Sequence, residues 1–146
     1  MASVNTSIEI DAPVQHVWDL ATDVERLGEW VSIHRGFPTP PPAKVEQGTS
    51  FRQTLAVAGT PFTVEWTAVE VDVPRRFTWE AVGPAGTTTR TTYVLAAANG
   101  GTRFDYQNEF ELPVGELGEA ASAVISRHAG SEADSSLARL KQLAEG

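Results

Sequence analysis

Apolar and polar residues alternate at the start of the chain. Val4, Thr6, Ile8 and Ile10 interleave with Ser3, Asn5, Ser7 and Glu9, a two-residue period that predicts a strand with one apolar face. The period then lengthens. Asp11-Ala12-Pro13 supplies an acceptor side chain and then a proline, a helix-start signal, and Val14, Val17, Trp18 and Ala21 recur at helical spacing, so a helix is predicted over 13–22. Thr22-Asp23-Val24-Glu25 has the form of a capping box and opens a second short helix with Leu27 and Trp30 on one side. Phe37-Pro38-Thr39-Pro40-Pro41-Pro42 follows; four of these six residues lack a backbone donor and have φ fixed, which makes the segment a stiff connector. Its Pro38-x-x-Pro41 spacing reads as a spacer rather than a polyproline ligand.

Five further runs have strand character. Phe51, Gln53, Leu55 and Val57 share a face, and Ala58-Gly59-Thr60-Pro61 turns the chain into Phe62, Val64, Trp66 and Ala68. Val69 and Val71 then fall on the opposite parity, which predicts a bulge or burial on both faces. Asp72-Val73-Pro74 precedes a strand with Phe77 and Trp79, closed by Gly83-Pro84-Ala85-Gly86. A threonine-rich strand runs from Thr87 to Leu95. Asn99-Gly100-Gly101 is a hairpin signal, and beyond it Phe104, Tyr106, Asn108 and Phe110 alternate with Arg103, Asp105, Gln107 and Glu109. A helix from about Pro113 to Gly146 closes the chain. It carries bulk at Leu117, Val124 and Ile125 and again at Leu137, Leu140 and Leu143, with small or polar residues from Arg127 to Ala133 between. Successive strands on short turns give an antiparallel meander with the first strand paired along it, and the closing helix must cover its apolar face. The fold class is α+β, a single domain over 1–146, and the small mid-helix residues leave room for a guest.

Composition narrows the function. With 146 residues and no cysteine, the chain is large enough to bury roughly 70% of its unfolded surface without staples. The first residues, Met1-Ala2-Ser3-Val4-Asn5, lack a basic flank and an apolar run, so cytoplasmic residence is expected and the Asn5-Thr6-Ser7 sequon carries no meaning. Apolar runs fall short of the ~20 residues that span a bilayer. The 19 acidic residues against 11 basic ones give a charge of -8, which argues against nucleic acid as a partner.

Three scattered histidines, His16, His34 and His128, have no metal-ligand spacing, so no metal is expected, and no cofactor is implied. Gly-x-Ser-x-Gly, HExxH and phosphate-loop patterns are absent. Glu65 and Glu80 alternate with apolar neighbours and are expected to face solvent. Gln53, Thr89, Thr91 and Asn108 share inward faces with aromatics; a buried unpaired amide is unfavourable by roughly 1–3 kcal/mol, so these groups need water or a guest as partner.

Ile10-Asp11-Ala12-Pro13-Val14-Gln15-His16-Val17-Trp18, Glu25-Arg26-Leu27-Gly28-Glu29-Trp30, Val69 to Trp79 and Gly100-Gly101-Thr102-Arg103, in that order, resemble the START-like superfamily, which includes the polyketide cyclase/dehydrase, lipid-transport and birch-allergen types. Glu29 to Gly36 also resembles an actinobacterial subgroup with members described as toxins of toxin–antitoxin pairs. The resemblance implies a helix-grip fold, in which a curved antiparallel sheet wraps a long carboxy-terminal helix around a deep cavity. It implies a cavity set of Trp30, His34, Phe62, Trp66, Phe77, Trp79, Thr91, Phe104, Tyr106, Asn108, Val124 and His128, with Val31 to Lys44 as lid. Three functions follow: binding of a hydrophobic lipid or polyketide; a polyketide aromatase/cyclase using Tyr106, His34 or Arg90; and a toxin acting through a protein partner.

Overall fold

The computed structural model describes residues 2–57, 59–83, 86–111 and 116–146, without the side chains of 2, 57 and 116–127. Seven strands form one antiparallel sheet in the order β1-β7-β6-β5-β4-β3-β2: β1 is Ala2–Ile10, β2 His34–Gly36, β3 Ser50–Val57, β4 Thr60–Asp72, β5 Arg76–Val82, β6 Thr88–Ala98 and β7 Gly101–Glu111. Between β1 and β2 come α1, Val14–Ala21, and a 3-10 helix, Val24–Glu29; α2, Glu116–Glu145, ends the chain. The helix contacts β1 at one edge and β3 near the other. Those two strands are five spacings apart, about 24 Å in a flat sheet, whereas a helix with its side chains is only about 10–12 Å across. Contact with both therefore requires a curled sheet, and the architecture is the helix-grip arrangement.

Local chemistry sets most of the element boundaries. Asn99 (φ 51°) and Gly100 (φ 83°) both occupy the left-handed region, the conformation of a tight two-residue hairpin, and Ala98 pairs with Gly101 directly below. Gly101 itself admits no side chain, because a Cβ there would lie 2.3 Å from the Ile10 carbonyl oxygen. The β4–β5 register slips between Ala68 and Glu70, a bulge at the position where the apolar parity of the sequence inverts.

Three sequence expectations change. Neither helix start uses a side-chain cap: Pro13 is the N-cap of α1, and Asp23 caps the 3-10 helix with no side-chain bond. The Asp11 backbone N–H donates to Glu145 at the end of α2 (2.8 Å), and the Thr22 hydroxyl donates back to the Trp18 carbonyl (2.8 Å) instead of forward into the next helix. The second short helix is 3-10 rather than α. Strand β2 adds a seventh strand: its three residues are too few for a period, and only pairing with β3 makes them a strand. The turns predicted through Ala58 and through Pro84-Ala85 fall partly outside the described residues.

Helix α2 is tied down along its carboxy-terminal half. Thr6 donates to Asp134 (2.7 Å), and Lys141 reaches the Glu9 carbonyl (2.9 Å) and Glu145 (2.5 Å). The backbone N–H of Ser32 donates to the Ser136 hydroxyl (2.9 Å), and the Ser32 hydroxyl bonds the Glu132 carboxylate.

Candidate functional site

Strands β5, β6 and β7 and helix α2 each run from a packed end to a hollow one. Along β5, Phe77 is 1% exposed against Trp18 and Tyr93, whereas Trp79, two residues on, borders open space. Along β7, Phe104 is fully buried, and Tyr106, Asn108 and Phe110 border the same space. On β6 the change falls between Leu95 and Tyr93, and on α2 between Leu140 and Leu137. The packed end is the one covered by α1, whose Val17, Trp18, Leu20 and Ala21 are all buried. At the other end α2 presents Ala129, Ala133 and Ser136, too short to reach the sheet, and a cavity of about 410 Å³ remains. That falls within the roughly 300–1,000 Å³ of small-molecule sites.

The wall is mostly aromatic and aliphatic. Trp30, Phe62, Trp66, Trp79, Tyr93 and Tyr106 line it together with Leu27, Val31, Ile33, Phe51, Leu55, Val64, Phe110 and Leu137. Edge-on contacts hold several rings in place: Phe51 on Trp79 with centroids 5.1 Å apart, and Trp30 on Tyr93 at 6.1 Å.

Polar groups in the wall are arranged in two relays. The Trp66 indole Nε1–H, a donor only, donates to Gln53 Oε1 (2.9 Å). The Gln53 amide nitrogen must then donate to His34 Nδ1 (2.8 Å), which fixes His34 as the neutral tautomer with its proton on Nε2. Burial, and secondarily the Arg35 charge, lower the His34 pKa, in agreement with that assignment. Gly28 makes room for the ring, since a Cβ there would lie 3.0 Å from His34 Cδ2. In the second relay, Thr89 (2.7 Å) and Thr91 (3.3 Å) donate to Asn108 Oδ1. Burial pushes the Tyr106 phenol up to about 12, with a Thr91 hydroxyl contact opposing, so it stays protonated near neutrality. The Tyr93 phenol is raised as well, chiefly by burial. Trp30 Nε1 is the one buried side-chain nitrogen or oxygen among the described residues with no hydrogen-bond partner.

Of the residues named from sequence, Trp30, Phe62, Trp66, Trp79, Thr91, Tyr106 and Asn108 line the cavity. Phe77 and Phe104 do not; they lie one pleat repeat deeper, in the packed end. His34 stands behind the wall on Gln53 and against Phe37 (4.7 Å). His128 is exposed and outside the lining, and the side chain of Val124 lies outside the described residues. Arg90 points away from the cavity, beside Glu80 (3.6 Å), and Glu65 is likewise exposed beside Arg52 (3.4 Å). Gln53 and the threonines find protein partners, so their burial does not by itself demand a guest. Phe51, Glu132 and Ser136 are wall residues that sequence reading misses: alternation gives Phe51 an inward face but no role, and the last two need the rotation of α2 to be known. Among the described residues no three histidine, aspartate or glutamate side chains gather as a metal site, and no helix is long and apolar enough to cross a membrane.

Comparison with known proteins gives concordant results. A family model described as "Polyketide cyclase / dehydrase and lipid transport" matches residues 1–145. The chain is 26% identical over 127 residues to the Mycobacterium tuberculosis protein "Toxin Rv0910", covering 86% of this chain and 88% of that one. It is 27% identical over 127 residues to "Uncharacterized protein Rv1546" of the same organism, covering 86% and 89%. Among solved structures, TTHA0849 from Thermus thermophilus superposes with a TM-score of 0.79 at 20% identity over 97% of this chain and 95% of that chain, a likeness of fold.

Proposed function

Because the chain belongs to the polyketide cyclase/dehydrase and lipid transport family, we propose that it binds a small hydrophobic molecule in the cavity between sheet and α2. One observation carries this reading: the hollow coincides with the stretch of α2 where Ala129 and Ala133 replace the leucines of the packed end. An unfilled apolar void of this size is destabilising, since lining atoms lose their dispersion partners, and a guest restores them. By proportion to a void of about 150 Å³ that takes up one benzene, the cavity suits a guest on the order of fifteen heavy atoms. The reading favours binding over cyclisation, because Arg90 faces solvent and His34 is engaged behind the wall.

The test is thermal unfolding with a panel of apolar aromatics and polyketide-like compounds. Ligand at a hundred times its Kd raises stability by about 2.7 kcal/mol through mass action. No rise in Tm with any compound at its solubility limit contradicts the proposal.

A second reading, a toxin, is supported by a relative named as one that matches over most of both chains; action through a protein partner is part of the proposal. Growth arrest on induced expression supports it, and normal growth removes it.

A further inference from the structure

The charge and hydrogen-bond capacity of the wall are lopsided. No lysine, arginine or histidine is among the described lining residues, whereas one carboxylate, Glu132, is. Glu132 is half-buried and has no salt-bridge partner among the described residues; its Oε2 accepts from the Ser32 hydroxyl. One donor, by contrast, is unspent. Thr89 and Thr91 both donate to Asn108 Oδ1, at 2.7 and 3.3 Å, and Nδ2 has no hydrogen-bond acceptor among the described residues. A wall with a spare N–H donor is matched by a guest carrying an acceptor oxygen. A lining whose described residues include a carboxylate and no cation penalises an anionic guest, because the anion loses its hydration without gaining a counter-charge from them.

We propose that the cavity selects neutral guests bearing a carbonyl or similar acceptor oxygen and discriminates against carboxylates, with Asn108 and Glu132 as the specificity-determining residues. This rests on the proposed binding function. It places free fatty acids and other lipophilic acids among the poor ligands and aryl ketones or esters of the same size among the good ones.

The experiment uses three naphthalenes of equal size substituted at the same ring carbon: acetylnaphthalene, naphthoate and isopropylnaphthalene, titrated into the full chain at neutral pH by calorimetry or fluorescence. The ketone is expected to bind more tightly than the hydrocarbon by about two- to tenfold, the span of one hydrogen bond. Naphthoate is expected to bind at least about tenfold more weakly than the ketone. Asn108→Asp keeps an acceptor for Thr89 and Thr91 but removes the donor, so it should abolish the preference for the ketone over the hydrocarbon. Glu132→Gln keeps a partner for Ser32 and removes the charge, so it should strengthen naphthoate binding relative to both the ketone and the hydrocarbon. Circular dichroism and Tm check that both variants fold; should either fail to, the order of the three ligands on the unaltered protein still decides. Naphthoate binding as tightly as the ketone, with all three binding, overturns the selectivity and leaves the binding function standing. Binding of none of the three overturns both.

Discussion

At the scale of single residues, Gln53 links the cavity wall to the layer behind it. It is 3% exposed, its carbonyl satisfies Trp66 and its amide meets His34, so one side chain holds a wall aromatic and fixes the protonation state of a histidine outside the wall. Gln53→Leu leaves the Trp66 Nε1–H without an acceptor, and an unfolding free energy lower by about 1–3 kcal/mol is expected from urea titration. A change below a few tenths of a kcal/mol means that water replaces the glutamine. Alternation with Phe51 and Leu55 is enough to put Gln53 on an inward face from sequence alone. It does not reveal the partner: His34 reaches Gln53 as the first residue of β2, and a three-residue strand has no pattern of its own.

At the scale of elements, α2 does two jobs with one sequence. From Leu140 to Ala144 it fills the packed end of the sheet, and from Ala129 to Leu137 it roofs the hollow end. Ala133→Leu should fill part of the space with apolar volume, leaving stability unchanged or raised by up to about 1–2 kcal/mol while weakening binding of isopropylnaphthalene at least about tenfold, a free-energy change of roughly 1.4 kcal/mol. Calorimetry beside thermal unfolding tests this, and undiminished binding places the guest elsewhere. Strand alternation makes the inward faces of β4, β5 and β7 legible, down to the parity break at Val69. It cannot divide inward residues into core and cavity wall. Phe77 and Trp79, or Phe104 and Tyr106, carry the same apolar signal, and only the position of α1 at one end of the curled sheet decides which pair members are packed solid. The helix starts mislead for a different reason: Asp11 and Thr22 have capping chemistry, but neither side chain caps, and the Thr22 hydroxyl donates back to the Trp18 carbonyl of α1 instead.

At the scale of the whole molecule, the curl of the sheet and the ties between α2 and β1 hold the cavity open, and those ties are sensitive to acid. The Glu145 carboxylate, held below the usual range first by the Asp11 N–H and then by Lys141, contributes stability above its unfolded pKa that is lost as pH falls through its lowered folded value. His34 acts in the same direction, since its folded pKa lies below about 6.5; the neutral form is favoured in the folded state, and that stability disappears on acidification. Unfolding free energy should therefore decline from neutral pH into the acid range, and His34→Ala should flatten the part of the decline nearest neutrality; an unchanged profile in the variant removes His34 from the explanation. The family, the curved sheet and the closing helix are all legible from the order of motifs, whereas the guest is not, because a cavity is defined by what side chains fail to fill. The most direct measurement is therefore an isotope-filtered NMR spectrum of the protein with isopropylnaphthalene. Intermolecular contacts from the ligand to the Ala129 and Ala133 methyl groups and to the Trp79 ring are the predicted result, and a ligand that contacts only surface residues, or a spectrum without contacts at saturating ligand, contradicts the hollow as the binding site.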